Sequence, residues 1–351
     1  MTGTGERVAG APPGLVDLAA ERLGGKVLLA NDEFFAEKEN LIRPGRGVFI
    51  PDKYTDRGKW MDGWETRRRR TPGHDWCIIR LGLPGVIRKV DIDTNHFIGN
   101  HPPHASLDAV PLAMPDERDA GSAAELPWVT ILPKSALRPG SQNLFTIVDG
   151  RSWTHARLNI YPDGGVARLR LYGTVVPQWR DDSHGGPVDL AAIEHGGSAI
   201  SCSDMFFSSM NNLIMPGPPV NMGDGWETKR RRGPGYDWIV IKLGAPGEVT
   251  KVEVDTTHFK GNYPDTCSLE GCFAGTRTGK PAKSRRTRTS GPAVPGKGWR
   301  PLLPRTKLKG DTRHLFESEL EPLGAITHVR LNIYPDGGVA RLRVWGKIKR
   351  D

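Results

Sequence analysis

Fourteen consecutive residues, Arg157-Leu-Asn-Ile-Tyr-Pro-Asp-Gly-Gly-Val-Ala-Arg-Leu-Arg170, return letter for letter as Arg330 to Arg343, an offset of 173. A repeat of that length commits the chain to two copies of one folding unit, because each copy must bury the same pattern. Other landmarks agree. Asp62-Gly-Trp-Glu-Thr66 recurs as Asp224-Gly-Trp-Glu-Thr228, and Asp93-Thr94 with His96-Phe97 recurs as Asp255-Thr256 with His258-Phe259, both at an offset of 162. Asn31-Asp-Glu-Phe-Phe35 and Asn40-Leu-Ile42 match Ser203-Asp-Met-Phe-Phe207 and Asn212-Leu-Ile214 at an offset of 172. The step from 162 to 173 gives the second copy 11 extra residues, in the Gly-, Pro-, Lys- and Arg-rich stretch around 271 to 298, which reads as a longer surface loop. The organisation that follows is an N-terminal extension at 1–23, a first repeat at 24–176, a linker at 177–195 and a second repeat at 196–351.

Within each repeat the apolar residues come in short runs with turn residues close by: Trp76 to Leu81, Val86 to Ile92, Leu144 to Val148, Ala156 to Tyr161 and Val166 to Tyr172. Several alternate with period two, as in Val90-Asp-Ile-Asp93, which places one face in a core and the other in solvent. With 43 glycines and 29 prolines, the chain suits many short strands and turns better than long helices. Spaced strands of this kind predict an all-β protein, a β-sandwich or jelly roll in each copy. Only Gly14 to Leu23 reads as a helix. Tyr161-Pro-Asp-Gly-Gly165 supplies the residues of a tight reversal and predicts a hairpin between its flanking strands.

The net charge of +9 and pI near 9.4 suit a nucleic-acid binder only if the basic residues gather on one face. They fall instead in runs at Arg67–Arg70, Lys229–Arg232 and Lys283–Arg288, with no nucleic-acid motif beside them, so the basic balance fits a small anionic substrate better. Four cysteines are too few and too irregular for a disulfide framework, Cys267 and Cys272 lack the second pair a zinc site needs, and no signal peptide opens the chain. A reducing, cytoplasmic setting follows as the expectation. No apolar stretch approaches the ~20 residues of a membrane helix.

Between the copies the core drifts, Val90-Asp-Ile-Asp-Thr becoming Val252-Glu-Val-Asp-Thr, while several polar loop residues stay fixed. Asp, Asn and Gly in such places are explained by turn chemistry, and Trp64 and Trp226 by core filling. Glu65/Glu227, Asp93/Asp255 and His96/His258 are not, because a turn needs neither Glu nor His; they are the candidate catalytic groups. A carboxylate beside an imidazole can set its tautomer and raise its pKa, as general acid–base work near neutrality requires. A backbone hydrogen bond is the plainer role for each histidine. Arg68 and Arg230 could clamp a substrate carboxylate, with Asn100 and Asn262 as further binding groups. Where His74 and His101 stand in the first copy, Tyr236 and Tyr263 stand in the second, so the halves need not contribute equally. No ligand spacing for a metal is apparent; no cofactor is assigned, although His, Asp and Glu leave a divalent metal open.

At these residues the chain resembles the allantoicase family, through Met61-Asp-Gly-Trp-Glu-Thr66, Gly73-His-Asp-Trp76, Asp93-Thr-Asn-His-Phe-Ile-Gly-Asn100 and, in the second copy, His258-Phe-Lys-Gly-Asn-Tyr-Pro-Asp-Thr-Cys-Ser268. The resemblance runs from about Gly24 to Trp345. It implies two tandem jelly-roll, galactose-binding-like domains, an oligomeric cytosolic enzyme, and hydrolysis of allantoate to ureidoglycolate and urea. Two rivals remain at this point: a non-catalytic pair of binding modules, since fold alone does not separate binding from catalysis, and a hydrolase of a neighbouring ureido or guanidino acid.

Overall fold

The computed structural model describes residues 12–111, 126–179, 186–274 and 294–349. The chain divides near residue 176 into two compact units, each of which holds one repeat. Among the described residues both are built from strands, with only short 3-10 turns as helix. Most of the long loop expected around 271 to 298, and with it the basic run 283–288, lies outside the described residues.

One strand organises each unit. Asp75–Asp93 is 19 residues long and serves two layers. Its first part pairs antiparallel with Trp153–Tyr161 and Lys26–Ala30, and its second part with Arg168–Val175 and Gln142–Thr146. His104–Val110 and Val129–Ala136 extend the first layer beyond Trp153–Tyr161. Asp237–Asp255, also 19 residues, does the same in the second unit, with Ala325–Tyr334 and Ser198–Cys202 on its first part and Arg341–Ile348 and Arg313–Phe316 on its second. The two apolar runs at 76–81 and 86–92 are therefore one bent strand, with Gly82 and Gly85 where the backbone comes too close to Leu23 and Thr174 to admit a side chain. Ile79, Leu81, Ile87, Val90, Leu158, Leu169 and Leu171 fill the space between the layers, with Trp64 fully buried among them.

Three expectations are corrected. The segment 14–23 is not a helix: Val16–Asp17 is a strand paired with Gly173 and Tyr172, and only Glu21–Leu23 makes a single 3-10 turn. Val16, Leu18, Ala19 and Leu23 are buried in this arrangement, so the first sheet begins inside the stretch set apart as an extension; Val188–Asp189 repeats this inside the expected linker. Tyr161-Pro-Asp-Gly-Gly165 does not close a hairpin, because its flanking strands lie in different layers, and Gly165–Val166 pairs instead with Trp64–Glu65. Gly165 runs so close over the Phe97 ring that a Cβ there would overlap it, which carries the chain across the end of the sandwich rather than back on itself.

The third concerns the polar face of Val90-Asp-Ile-Asp93. It is buried, not solvated: Asp91 is 1% exposed and Asp93 2%. Asp91 accepts one bond from Gln142 Nε2 at 2.7 Å while its other oxygen has no partner, and burial pushes its carboxyl up to about 6. Folded Asp91 thus binds its proton more tightly than the unfolded chain, whose value is 3.8, so ionised burial opposes folding above pH 6 and not below pH 4. Asp91→Asn should therefore gain stability relative to wild type by roughly 2 kcal/mol as pH rises from 4 to 7. Chemical denaturation at both pH values measures it, and a pH-independent difference would contradict it.

Candidate active site

The fixed polar residues gather at the end of each sandwich where the long strand gives way to the loop at 94–103 or 256–265, and they form two separate groups there.

The first group joins the short strand Trp64–Glu65 to the loop. Glu65 Oε1 accepts from Asn100 Nδ2 at 2.7 Å, and Glu227 Oε1 from Asn262 Nδ2 at 2.6 Å, so the structure brings these candidates together in pairs. Glu65 is half-buried, and that burial raises its carboxyl despite the Asn100 bond. Arg68 and Arg230 lie on the exposed backbone that follows, with no side-chain partner among the described residues. Their neighbours Arg69 and Arg231 point inward onto Asp75 and Asp237.

Asp93 and Asp255 begin the second group. Both are buried and each caps its loop, accepting from Asn95 N at 3.0 Å and from Thr257 N at 2.8 Å. The histidines take the left-handed conformation, with φ of 67° at His96 and 73° at His258. The expected carboxylate–imidazole contact is not formed. Asp93 is engaged by Arg46, through Nε to Oδ2 at 2.8 Å and Nη2 to Oδ1 at 3.0 Å, while the His96 ring lies against Phe49 with centroids 5.6 Å apart. His258 Nε2 is 3.0 Å from the Pro219 carbonyl and donates to it, a backbone bond of the plainer kind.

Beneath both loops runs a buried ion pair. Arg168, 3% exposed, donates to Asp62 Oδ2 at 2.8 Å and to the Asp62 carbonyl at 3.0 Å. Burial would raise Asp62, but the Arg168 bond and the Val48 N–H hold its carboxyl below the usual range. Arg341 and Asp224 repeat the pair at 2.7 Å.

The units differ in what stands over this network. In the second unit a cavity of about 700 Å³ opens above it, lined among others by Asp255, Glu253, Arg313, Arg343, Pro218 and Trp345. Glu253 is 4% exposed and both its oxygens are taken by Arg313, from Nε at 3.0 Å and Nη2 at 2.7 Å. The carboxylate of Asp255, 3% exposed, accepts only from Thr257 N among the described residues, which leaves Oδ2 uncommitted on the cavity wall. Of the candidates, Asp255 alone lines this cavity; Glu227, His258, Arg230 and Asn262 do not. Among the described residues no three His, Cys, Asp or Glu side chains converge on a metal-holding position.

The profile of the allantoicase repeat matches residues 16–176 and again 188–349. The chain belongs to the allantoicase family. A probable allantoicase of Burkholderia mallei is 49% identical over 337 residues, covering 95% of both chains, and one of Pseudomonas aeruginosa is 49% identical over 332, covering 95% of this chain and 96% of that one. The crystal structure of the Saccharomyces cerevisiae allantoicase superposes with a TM-score of 0.74 at 38% identity, over 95% of this chain and 93% of that one. Both family repeats take in the edge strands Val16–Asp17 and Val188–Asp189.

Local sequence reading misses Arg46, Glu253 and Arg313, and also Arg168/Arg341 with their carboxylate partners Asp62/Asp224. Asp62 and Arg168 did carry a signal, each standing inside a motif held identical in both copies. Their separation of 106 positions hid that they meet. Glu253 and Arg313 carried none, because Asp91 and Gln142 stand in their places in the first copy.

Proposed function

We propose that this chain hydrolyses allantoate to ureidoglycolate and urea in purine breakdown, and that the cavity of the second repeat is where it does so. Family membership across both repeats supports the reaction; the buried carboxylate with an uncommitted oxygen on a cavity wall supports the place. Allantoate carries one carboxylate and two ureido groups on a single carbon, and its cleavage exchanges one ureido nitrogen for a water oxygen. The departing nitrogen must gain a proton and the water must lose one. Asp255 is the group placed to exchange protons with a substrate, while Glu253 spends both oxygens on Arg313 and holds that arginine in position. Arg313 keeps Nη1 free of described partners, which suits a substrate carboxylate.

Glu65 favours a second reading for the proton donor, since a half-buried carboxyl raised by burial stays protonated closer to neutrality. The histidines are not the acid in either reading: one already donates to backbone and both hold left-handed turns, a conformation Asn also accepts. His96→Asn and His258→Asn are therefore expected to release urea from allantoate at the wild-type rate, and loss of turnover in either would restore histidine to the mechanism. Glu65→Gln and Glu227→Gln in the same assay separate the two carboxyl readings. A panel of neighbouring ureido and guanidino acids tests the substrate: faster release from any of them than from allantoate would reassign it. The same reading makes the enzyme a cytosolic homo-oligomer that takes a small anion, with no nucleic-acid or membrane partner. Four unpaired cysteines support the reducing compartment, and no described helix is long and apolar enough to cross a membrane.

A further inference from the structure

The repeats part company at two facing positions. Gly45 and Gly217 correspond, with φ of 71° and 69°, so Arg46 in the first repeat answers to Pro218 in the second. On the sheet edge, Gln142 lies opposite Asp93 and Arg313 opposite Asp255. The first repeat thus carries its arginine on the loop and the second on the strand. The loop arginine presents two parallel N–H groups, Nε and Nη2, to the two oxygens of Asp93, at 2.8 and 3.0 Å. With proline at 218 the second repeat supplies no such fork. Asp255 is as buried as Asp93, receives the same capping N–H two residues on, and faces the cavity that Pro218 borders.

A substituted urea offers the same planar pair of N–H groups, one on each nitrogen and both on one side of the carbonyl carbon, as a guanidinium does. We propose that Asp255 binds the ureido group of a ligand at the place where the first repeat holds its own Arg46, so that the first repeat is a site filled from within and the second is the one open to ligand. Arg313 then lies on the neighbouring strand to take a carboxylate of the same molecule, which defines the ligand class as a ureido acid. The choice of allantoate within that class rests on the function proposed above; the ureido site itself does not.

Hydantoate, with one ureido group and one carboxylate, is the probe, titrated calorimetrically into the full chain. One molecule is expected to bind per chain. Pro218→Arg puts a guanidinium back over Asp255 and should weaken hydantoate at least tenfold; Asp255→Asn, whose carbonyl keeps the Thr257 cap, should do the same without new bulk. Unchanged affinity in either folded variant, or no binding to the wild type, overturns the proposal. Allantoate turnover by the wild-type chain is followed in parallel. Turnover with hydantoate binding indifferent to both variants leaves the hydrolase reading and removes the ureido site; variant-sensitive binding without turnover does the reverse.

Discussion

Asp255→Asn should lower urea release from allantoate by about 10²- to 10⁴-fold, the range spanned by loss of a positioned acid or base, while the thermal midpoint of the second repeat stays close to wild type. The two halves of that expectation have different causes. Activity falls because an amide cannot exchange a proton with the substrate. Stability holds because the one bond that the Asp255 carboxylate accepts among the described residues, from Thr257 N, needs only a carbonyl oxygen. Asp93→Asn makes the internal control for stability. There the carboxylate is paired with Arg46, whose own side chain is only 18% exposed, so the same change leaves a guanidinium without its anion and the first repeat should melt earlier. Steady-state kinetics and calorimetry on both variants measure this, and equal melting behaviour in the two would mean that the copies do not differ as described.

The largest loss of stability is expected from Arg168→Met. Arg168 and Asp62 are 4% and 9% exposed at their side chains, and removal of the cation strands a buried carboxylate that burial alone already disfavours. Breaking such a pair from one side costs about 3–5 kcal/mol, which in a domain of this size lowers the melting midpoint by roughly 10 °C. Adding Asp62→Asn should recover part of the loss, because the uncompensated charge is gone, but not all of it, since Arg168 Nη1 also serves the Asp62 and Ala167 carbonyls. A loss below about 1 kcal/mol would place the pair among surface ion pairs in energetic terms and contradict its burial.

The architecture was legible in the sequence because duplication prints it twice. Fixed Trp64/Trp226 and drifting Ile92/Val254 separate invariant from merely apolar positions without any structure. Local reading failed where tertiary context decides. The pattern Val90-Asp-Ile-Asp93 has the period of a strand with one wet face, and nothing in that period says that Arg46, Gln142 and the Arg170 strand cover the aspartates. Gly164-Gly165 looks like a turn pair because the Phe97 ring that forces the glycine lies 68 positions earlier in the chain. Proximity in sequence suggests an Asp–His pairing, but Arg46, 47 positions from Asp93, takes the carboxylate instead. The site followed the same rule. Identity between copies points to Glu65/Glu227 and His96/His258, whereas the cavity wall includes Pro218, a position where the copies differ. A difference of that kind has no meaning until the fold sets position 46 over Asp93 and position 218 beside Asp255.

The most direct test is the product ratio from allantoate itself. Purified full-length chain, incubated with allantoate and followed by carbon-13 NMR, should convert one substrate into one urea and one ureidoglycolate. Folded protein that leaves allantoate intact, or that releases ammonia in place of urea, would contradict the account.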